Sequence, residues 1–429
     1  MNIKDLYQIY LQNNQQVTTD SRKVPKGAIF FGLKGEKFDG NAFAAQALDA
    51  GASVAVIDNP EYHIPGKTIL VDDSLKTLQQ LANYHRKQLN IPVIALTGTA
   101  GKTTTKELIK AVLNQKFKTF GTTGNLNNHI GVPLTLLQIP LDAQIAVIEM
   151  GASIPNDIEL LCQIAQPNYG LITNIGTAHI QGFGSREVLI QTKTALYRHL
   201  EQTSGLIFLN ADDKLLTSLT NHSRIYTYGT QPTADTYGYS LGLNPFLSIK
   251  FRQKDKTLNQ INSQLFGEYN LYNILAAVAV GQFFDVPDQQ IKNAIETYKP
   301  QNQRSQILKT DKNTLILDLY NANPTSMSKA LESFAKIQAK DKVLILGDML
   351  ELGPIELQEH EKILKLAQQL GFEQIYLVGE IFGKVNKNYP HFQTSGELRN
   401  YLKQNPLTDK TILLKASRGI HLENVIDAL

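Results

Sequence analysis

The chain has 429 residues, more than one hydrophobic core usually supports, so we expect two or three domains. Its 42 basic and 39 acidic residues leave a net charge of only +3, which argues against a nucleic-acid partner and makes any phosphate binding a local property. The single Cys162 excludes an intrachain disulfide, and no apolar run approaches the roughly 20 residues of a membrane helix. With no signal-peptide pattern at the N-terminus, we expect a cytoplasmic protein without a membrane span.

The first predicted domain, residues 1–90, alternates strands and helices. The predicted strands cover residues 28–33, 54–57 and 68–71, and the predicted helices cover residues 42–50 and 75–89. Ser21 and Arg22 lie near strand ends together with Lys34 and Gly35, and this polar set would suit a phosphate or a carboxylate. An exposed turn with a solvated arginine is the alternative.

Residues 93–105 have the pattern of a strand, a phosphate loop and a helix. Gly98 and Gly101 allow backbone N–H groups to turn inward around phosphate oxygens, and the start of the helix adds its dipole. Lys102 would reach the β- and γ-phosphates, and the Thr103 hydroxyl would ligate Mg²⁺. Only the first glycine of the strict motif is missing. The predicted nucleotide-binding residues are Gly98, Thr99, Ala100, Gly101, Lys102, Thr103 and Thr104.

The second predicted domain, residues 91–300, continues the alternation expected of a mainly parallel sheet with helices on both faces. Glu149 and His179 each follow a predicted strand, at the sheet edge to which the phosphate loop also points. This placement indicates metal or phosphate chemistry. The alternatives are a helix cap for Glu149 and a structural role for His179.

Amide side chains form two further candidate groups in this domain. Asn125, Asn127 and Asn128 lie in a loop before a helix, where they would bind polar or carboxylate groups of a substrate; a cluster of Asx turns is the alternative. Asn270 and Asn273 share one face of a helix and would contact a base or ribose, unless they are caps. Between these groups, alternating residues over 223–265 predict an antiparallel extension of the sheet.

The third predicted domain, residues 301–429, is a second doubly wound, Rossmann-like unit without a phosphate loop. Its strands repeatedly end in polar residues, which suggests a domain that closes over an active site. The residues at these strand ends are Asp318, Tyr320, Asn321, Asp348, Lys415, Ser417 and Arg418.

Several motifs together closely resemble the Mur ligases of peptidoglycan synthesis. They are the phosphate loop at residues 97–104, the Asn-rich segment at 125–133, Glu149-Met150-Gly151, the segment at 173–179, and the runs at 320–327 and 347–353. The resemblance covers all three predicted domains in order. The last two runs are similar to those of the family member that joins D-alanyl-D-alanine to UDP-N-acetylmuramoyl-tripeptide.

This resemblance implies a three-domain plan with a UDP-substrate domain at 1–90, an ATP domain at 91–300 and a D-alanyl-D-alanine-side domain at 301–429. It implies ATP-driven amide formation through an acyl phosphate, with Mg²⁺ as cofactor and the two small molecules as substrates. We expect a monomer. Rival activities are a folylpolyglutamate synthetase, a ligase that adds a single amino acid, and a binding module gated by nucleotide.

The resemblance also assigns roles to individual residues. Lys102, Lys193 and His179 are the expected catalytic residues, with Lys193 carbamylated. Mg²⁺ is expected at Thr103, Glu149, His179 and carbamylated Lys193. ATP contacts beyond the loop are expected from Asn270, Asn273, Arg304, Asp318 and Tyr320. Substrate contacts are expected from Ser21, Arg22, Asn125, Asn127, Asn128, Asn321, Ser326, Lys415 and Ser417. The chain departs from the usual family pattern at Ala195 and Ala416.

Overall fold

The computed structural model describes residues 2–35, 38–176, 180–301, 303–386 and 388–429. The first domain has a four-stranded parallel sheet in the order β1-β2-β5-β6, and β3 and β4 pair as a separate antiparallel hairpin. Its elements are α1 (Ile3–Gln12), β1 (Val17–Thr18), β2 (Ile29–Phe31), β3 (Lys34–Gly35), β4 (Phe38–Asp39), α2 (Ala44–Asp49), β5 (Val54–Ile57), β6 (Thr68–Leu70) and α3 (Ser74–Gln88), with short 3₁₀ helices at Gly40–Phe43 and Pro60–Tyr62.

Helix α3 connects this first sheet to the rest of the chain. Near its end the buried Arg86 guanidinium donates to the carbonyls of Ala165 and Gln166, at 3.0 and 3.1 Å. Burial lowers the pKa of Arg86, yet each of its three guanidinium nitrogens donates to a carbonyl or amide oxygen, which offsets the cost of burying the charge. The helix therefore holds the first domain firmly against the second.

The second domain is built on a nine-stranded sheet in the order β15-β14-β13-β12-β11-β10-β7-β9-β8. Its strands are β7 (Val93–Thr97), β8 (Thr119–Gly121), β9 (Ile145–Glu149), β10 (Tyr169–Ile172), β11 (Leu206–Asn210), β12 (Ile225–Gly229), β13 (Thr236–Leu243), β14 (Leu247–Arg252) and β15 (Leu258–Asn262). Its helices are α4 (Lys102–Leu113), α5 (Gly131–Leu137), α6 (Asp157–Ala165), α7 (Ile180–Phe183), α8 (Arg186–Gln202), α9 (Lys214–Ser218), α10 (Asn270–Phe283) and α11 (Asp288–Thr297).

Both faces of the sheet are buried at β7, which is why this strand is a continuous apolar run. Ile94 and Leu96 face a core formed with α4, α10 and α11. Val93 and Ala95 point to the opposite core, formed with α3, α5, α6 and α8. Strand β7 lies between β9 and β10, so the chain leaves β7 where the strand order reverses, and ligands of open α/β sheets bind at such points.

The sequence prediction for residues 223–265 was partly wrong. β12 pairs in parallel with β11, and the first residues of β13 pair in parallel with β12. Only β13, β14 and β15 are antiparallel to one another. Alternation of polar and apolar residues reports one solvated face and does not report strand direction, so the pattern alone was not able to separate the two arrangements.

The third domain has a six-stranded sheet in the order β16-β17-β21-β18-β19-β20, parallel except for the edge strand β16. Its elements are β16 (Gln306–Lys309), β17 (Thr314–Asp318), α12 (Pro324–Lys336), β18 (Lys342–Gly347), α13 (Glu356–Gln369), β19 (Gln374–Val378), α14 (Glu380–Val385), β20 (His391–Phe392), α15 (Ser395–Gln404) and β21 (Thr411–Lys415), with 3₁₀ helices at Gly353–Ile355, Arg418–Ile420 and Leu422–Ala428. Among the described residues, no helix is both long and apolar enough to cross a membrane. The predicted α/β class with three domains is confirmed.

Candidate active site

The phosphate loop joins β7 to α4, as the sequence predicted. Gly101 lies at the N-cap position with a φ of +82° and no side-chain cap. The first N–H groups of α4 are therefore available to donate to a ligand. The Lys102 ammonium folds back onto the loop and donates to the Gly98 carbonyl at 2.6 Å. Burial lowers the pKa of Lys102, and the nearby Glu149 carboxylate opposes part of that shift.

The segment after β10 supports the phosphate loop from below. The Thr173 hydroxyl and the Asn174 amide both donate to the Ala100 carbonyl, at 2.7 and 2.9 Å. The Ala100 N–H in turn donates to Asn174 Oδ1 at 3.1 Å. These bonds fix the loop in shape before any ligand arrives. Neither Thr173 nor Asn174 was predicted as a site residue, although both belong to the motif at 173–179.

Gly98→Ala should lower the free energy of unfolding by about 4 kcal/mol, the sum of backbone strain and a steric clash. Gly98 has a φ of +147°, and a Cβ there would lie 2.0 Å from Thr173 Oγ1. Gly66→Ala is the control, because Gly66 has a φ of +74° and open space around its Cβ position. Urea unfolding should show a loss of only about 1 kcal/mol for that variant. Equal losses for the two variants would contradict the proposed packing of the loop.

Thr103 and Glu149 meet at the mouth of the loop. The Thr103 hydroxyl donates to Glu149 Oε2 at 2.9 Å, and the Asn127 amide donates to Glu149 Oε1 at 2.8 Å. Gly151 leaves room for this arrangement, because a Cβ at that position would lie 2.8 Å from Asn127 Oδ1. Glu149 is therefore held at the end of β9 by two neighbours and does not cap a helix.

The donor atoms around Glu149 are suited to magnesium. A hydroxyl and a carboxylate are hard oxygen ligands, and Mg²⁺ commonly binds one or two carboxylates together with substrate phosphates. In the part of the chain that the structure describes, no three His, Cys, Asp or Glu side chains cluster as an all-protein metal site. The residues present thus fit a metal that arrives with a nucleotide.

Lys106, a buried lysine that the sequence analysis did not identify, lies behind Glu149. Lys106 is fully buried, and its ammonium donates to the Thr122 carbonyl at 2.6 Å. The same nitrogen lies 2.9 Å from Glu107 Oε1 and 3.9 Å from Glu149 Oε2. It compensates the charge of the site carboxylate. A Lys-Glu pair on a helix resembles an ordinary solvated face, so no sequence signal pointed to this lysine.

Lys193 is also buried, although it lies in the middle of helix α8. Its side chain is only 3% exposed, and its nitrogen donates to the Gly98 carbonyl at 3.3 Å. Burial, together with the nearby Lys102 ammonium, lowers the pKa of Lys193 to about 7. Two lysines from different helices therefore converge on one carbonyl oxygen beneath the phosphate loop.

The asparagines of α10 lie next to the loop, but they bond to protein groups. Asn273 Oδ1 accepts a hydrogen bond from the Thr105 hydroxyl at 3.0 Å, and its amide donates to Asn270 Oδ1 at 2.8 Å. Asn270 donates to the Phe266 carbonyl at 2.7 Å. Neither residue is the N-cap of α10, which is Tyr269. Their amides therefore tie α10 to α4 while one edge of each residue lines the cavity.

The third domain contributes charged and aromatic residues to the opposite wall. The Lys415 ammonium donates to Asp318 Oδ2 at 2.6 Å and to the Asn321 carbonyl at 3.2 Å. The Arg304 guanidinium stacks on the Tyr320 ring, with its carbon 3.3 Å from the ring centroid. Arg304 Nε is buried and has no hydrogen-bond partner among the described residues. That nitrogen is a donor available to a ligand.

Some predicted substrate residues are occupied by structural hydrogen bonds. Ser326 forms a reciprocal capping box with Asn323 at the start of α12. The Ser417 hydroxyl donates to the Ala322 carbonyl at 3.3 Å and accepts from the Leu350 N–H at 2.9 Å.

Asn128 is also occupied by structural hydrogen bonds. Its Oδ1 accepts from the Ile130 and Gly131 N–H groups, at 3.2 and 2.8 Å. Asn128 thus forms an Asx turn, the alternative to a substrate contact. Asp348 likewise accepts from the N–H groups at the start of α14.

The structure does not place three predicted site residues at the cavity: Ser21, Arg22 and His179. The exposed Arg22 pairs with Asp20 through its Nε at 2.8 Å, and neither Ser21 nor Arg22 lines the cavity described below. The Asp20 carboxyl, bonded by Arg22, has a pKa lowered to about 2. His179 lies outside the described residues. The roles of these three residues remain predictions.

A cavity of about 640 Å³ brings the remaining groups together. The second domain supplies the phosphate loop, Asn125, Asn127, Asn128, Glu149, Asn270 and Asn273 to its lining, and the third domain supplies Arg304, Asp318, Tyr320, Asn321, Ser326, Lys329 and Lys415. Phosphate-binding groups thus form one wall, and ion-paired and amide groups form the other. The arrangement is suited to a reaction between a nucleotide and a polar substrate.

Three family models match consecutive parts of the chain. They are described as the Mur ligase family catalytic domain at residues 14–95, the Mur ligase middle domain at 96–281, and the Mur ligase glutamate ligase domain at 303–418. The UDP-N-acetylmuramoyl-tripeptide--D-alanyl-D-alanine ligase of Bacillus subtilis is 34% identical, over 96% of this chain and 92% of that protein.

Solved structures agree with these matches. A crystal structure of MurF from Acinetobacter baumannii has a TM-score of 0.86 and 31% identity, covering 96% of this chain and 92% of that one. MurF ligase from Thermotoga maritima in complex with ADP has a TM-score of 0.86 and 25% identity, covering 96% of each chain. The family expected from the sequence is thereby confirmed: this chain belongs to the Mur ligases.

Proposed function

We propose that the chain is an ATP-dependent ligase that joins D-alanyl-D-alanine to the C-terminal carboxylate of UDP-N-acetylmuramoyl-tripeptide. The observation that carries this proposal is that one cavity has the phosphate loop on one wall and the Asn321–Lys415 region of the third domain on the other. The relative from Bacillus subtilis bears the name of this activity over nearly the full chain. The reaction would serve peptidoglycan precursor synthesis in the cytoplasm, with the enzyme acting as a monomer.

The proposed chemistry has two steps. The tripeptide carboxylate attacks the γ-phosphorus of ATP, which releases ADP and forms an acyl phosphate. The amine of D-alanyl-D-alanine then attacks the acyl carbon, phosphate leaves, and the amine loses a proton. Lys102 would hold the γ-phosphate oxygens, and the N–H groups at the start of α4 would hold the neighbouring phosphates.

Magnesium would neutralise the phosphate charge that otherwise repels the tripeptide carboxylate. Thr103 and Glu149 are the residues we assign to it, with His179 and carbamylated Lys193 as further predicted ligands. Lys106 and Asn127 would keep the Glu149 carboxylate in place. The buried Arg304 Nε and the Tyr320 ring would contact the nucleotide.

We assign the three domains to the three substrates. Residues 1–90 would bind the UDP end, with Ser21 and Arg22 at that site. Residues 91–300 would bind ATP, and residues 301–429 would bind the incoming dipeptide. Asn125, Asn321, Ser326, Lys415 and Ser417 would shape the substrate side, the last three by positioning neighbours through the bonds described above.

Phosphate release tests the proposal. We expect release from ATP only when UDP-N-acetylmuramoyl-tripeptide and D-alanyl-D-alanine are both present, with the UDP-pentapeptide as product in mass spectrometry. Release with a folate and glutamate, or with a single amino acid as acceptor, would favour a rival ligase. ATP binding without turnover in any of these mixtures would favour a nucleotide-gated binding module.

A further inference from the structure

The cavity contains one cation without a partner in the described part of the chain. Four cationic side chains line it: Lys102, Arg304, Lys329 and Lys415. Lys102 is bonded to the Gly98 carbonyl, Arg304 is stacked on Tyr320, and Lys415 is paired with Asp318. Lys329, on α12, has no hydrogen bond or ion pair with any described residue.

Four acidic side chains line the cavity with Lys329, and none of them pairs with it among the described residues: Glu149, Asp157, Asp318 and Glu351. Glu351 has an interaction of its own. Asp318 is bound by Lys415, and Asp157 accepts the N–H groups of Ser153 and Ile154, at 2.7 and 3.0 Å. Glu149 lies on the phosphate wall with its own partners. The Lys329 ammonium is therefore an available positive charge on the wall that the third domain supplies.

The proposed acceptor substrate requires such a charge. D-alanyl-D-alanine carries a carboxylate at the end opposite its reacting amine, and this carboxylate enters a cavity that already holds nucleotide phosphates. Without a cation of its own it is repelled by them. This cation has to lie on the third-domain wall, because the carboxylate would have to compete with the nucleotide phosphates for a cation on the loop.

We propose that Lys329 binds the C-terminal carboxylate of D-alanyl-D-alanine and so selects dipeptides with a free carboxyl end. This inference rests on the proposed function. Lys329 is one helical turn beyond Ser326, and both line the cavity. A lysine has three donors on a flexible stem, which suits a carboxylate that is placed only when the substrate arrives.

The test compares D-alanyl-D-alanine with D-alanyl-D-alaninamide, which lacks the negative charge. For the unmodified enzyme we expect a KM about 10–100-fold higher for the amide, the usual effect of losing a hydrogen bond to a charged group. In Lys329→Met the KM for D-alanyl-D-alanine should rise by the same factor, and the two acceptors should become equivalent. The KM values for ATP and the UDP-tripeptide should not change.

Two further variants complete the experiment. Lys329→Arg keeps a positive charge and should retain most of the preference for the acid. Lys365→Met removes an exposed lysine of α13 that is paired with Glu361, outside the cavity, and should behave like the unmodified enzyme.

Each other outcome has a definite meaning. Full discrimination by Lys329→Met between acid and amide would overturn the assignment and leave the ligase function intact. A change confined to UDP-tripeptides whose third residue bears a side-chain carboxylate would assign Lys329 to that carboxylate instead, which also overturns it. Absence of phosphate release by the unmodified enzyme with D-alanyl-D-alanine would refute the proposed function itself.

Discussion

Lys102→Ala should lower the rate of ATP-dependent phosphate release by about 10³-fold or more, because it removes the charge that meets the transferring phosphoryl group. Among the described residues, the Lys102 ammonium bonds only to loop carbonyls, with Gly98 at 2.6 Å and Thr99 at 3.5 Å. The loop shape is held separately by Thr173 and Asn174. Removing the ammonium therefore should leave the fold intact.

The measurement is steady-state phosphate release, with circular dichroism and thermal unfolding as checks on the fold. Lys118→Ala is the matched control, since Lys118 is an exposed lysine that pairs with Asp142 away from the cavity. It should keep the normal rate. A Lys102→Ala enzyme with near-normal turnover would refute the role assigned to this lysine.

Lys193→Ala should reduce turnover by about 100-fold, the usual size of effect when one charged group at a reaction centre is removed. We predict that the neutral amine reacts with CO₂ to give a carbamate anion and a proton. Its pKa of about 7 means that the amine is mostly protonated at pH 6 and mostly neutral at pH 8. Carbamate formation at Lys193 of the unmodified enzyme, with bicarbonate added, should therefore increase as the pH rises through 7.

Small carboxylates provide the sharpest test of this prediction. Acetate or formate should partly restore the activity of Lys193→Ala, because either anion fits the space left by the carbamate. Lys193→Arg, which stays charged and does not react with CO₂, should remain inactive and gain nothing from acetate. Lack of rescue in Lys193→Ala, or a normal rate without any added anion, would count against the carbamate.

Local patterns in the sequence predicted much of the phosphate side of the site. The strand, loop and helix at residues 93–113 are a contiguous signal, and Glu149 follows from the rule that ligands gather at the carboxyl ends of parallel strands. The register of β9 against β7 places Glu149 opposite Leu96, two residues before Gly98. Short-range periodicity and strand order were sufficient here.

The residues that sequence patterns did not reveal depend on packing between distant segments. Lys193 looks like a solvated lysine on a helix, and only the packing of α8 beneath the loop buries it. Ser326 was predicted to contact substrate, but the Asn323-Pro324-Thr325-Ser326 run also has the pattern of a capping box, which is the bond observed. Sequence patterns point to residue types that carry chemistry, whereas the partners to which those residues bond depend on the fold.

The meeting of Lys102 and Lys193 at the Gly98 carbonyl has a thermodynamic consequence. Two positive charges so close together repel each other, and this repulsion is part of what lowers the pKa of Lys193. A nucleotide phosphate that pairs with Lys102 removes part of the repulsion, raises that pKa and leaves less neutral amine to react with CO₂. We therefore expect Lys193 to react with CO₂ more readily before the nucleotide binds than after. By reciprocity, whatever factor bound phosphate takes from the affinity for CO₂, the carbamate takes from the affinity for phosphate.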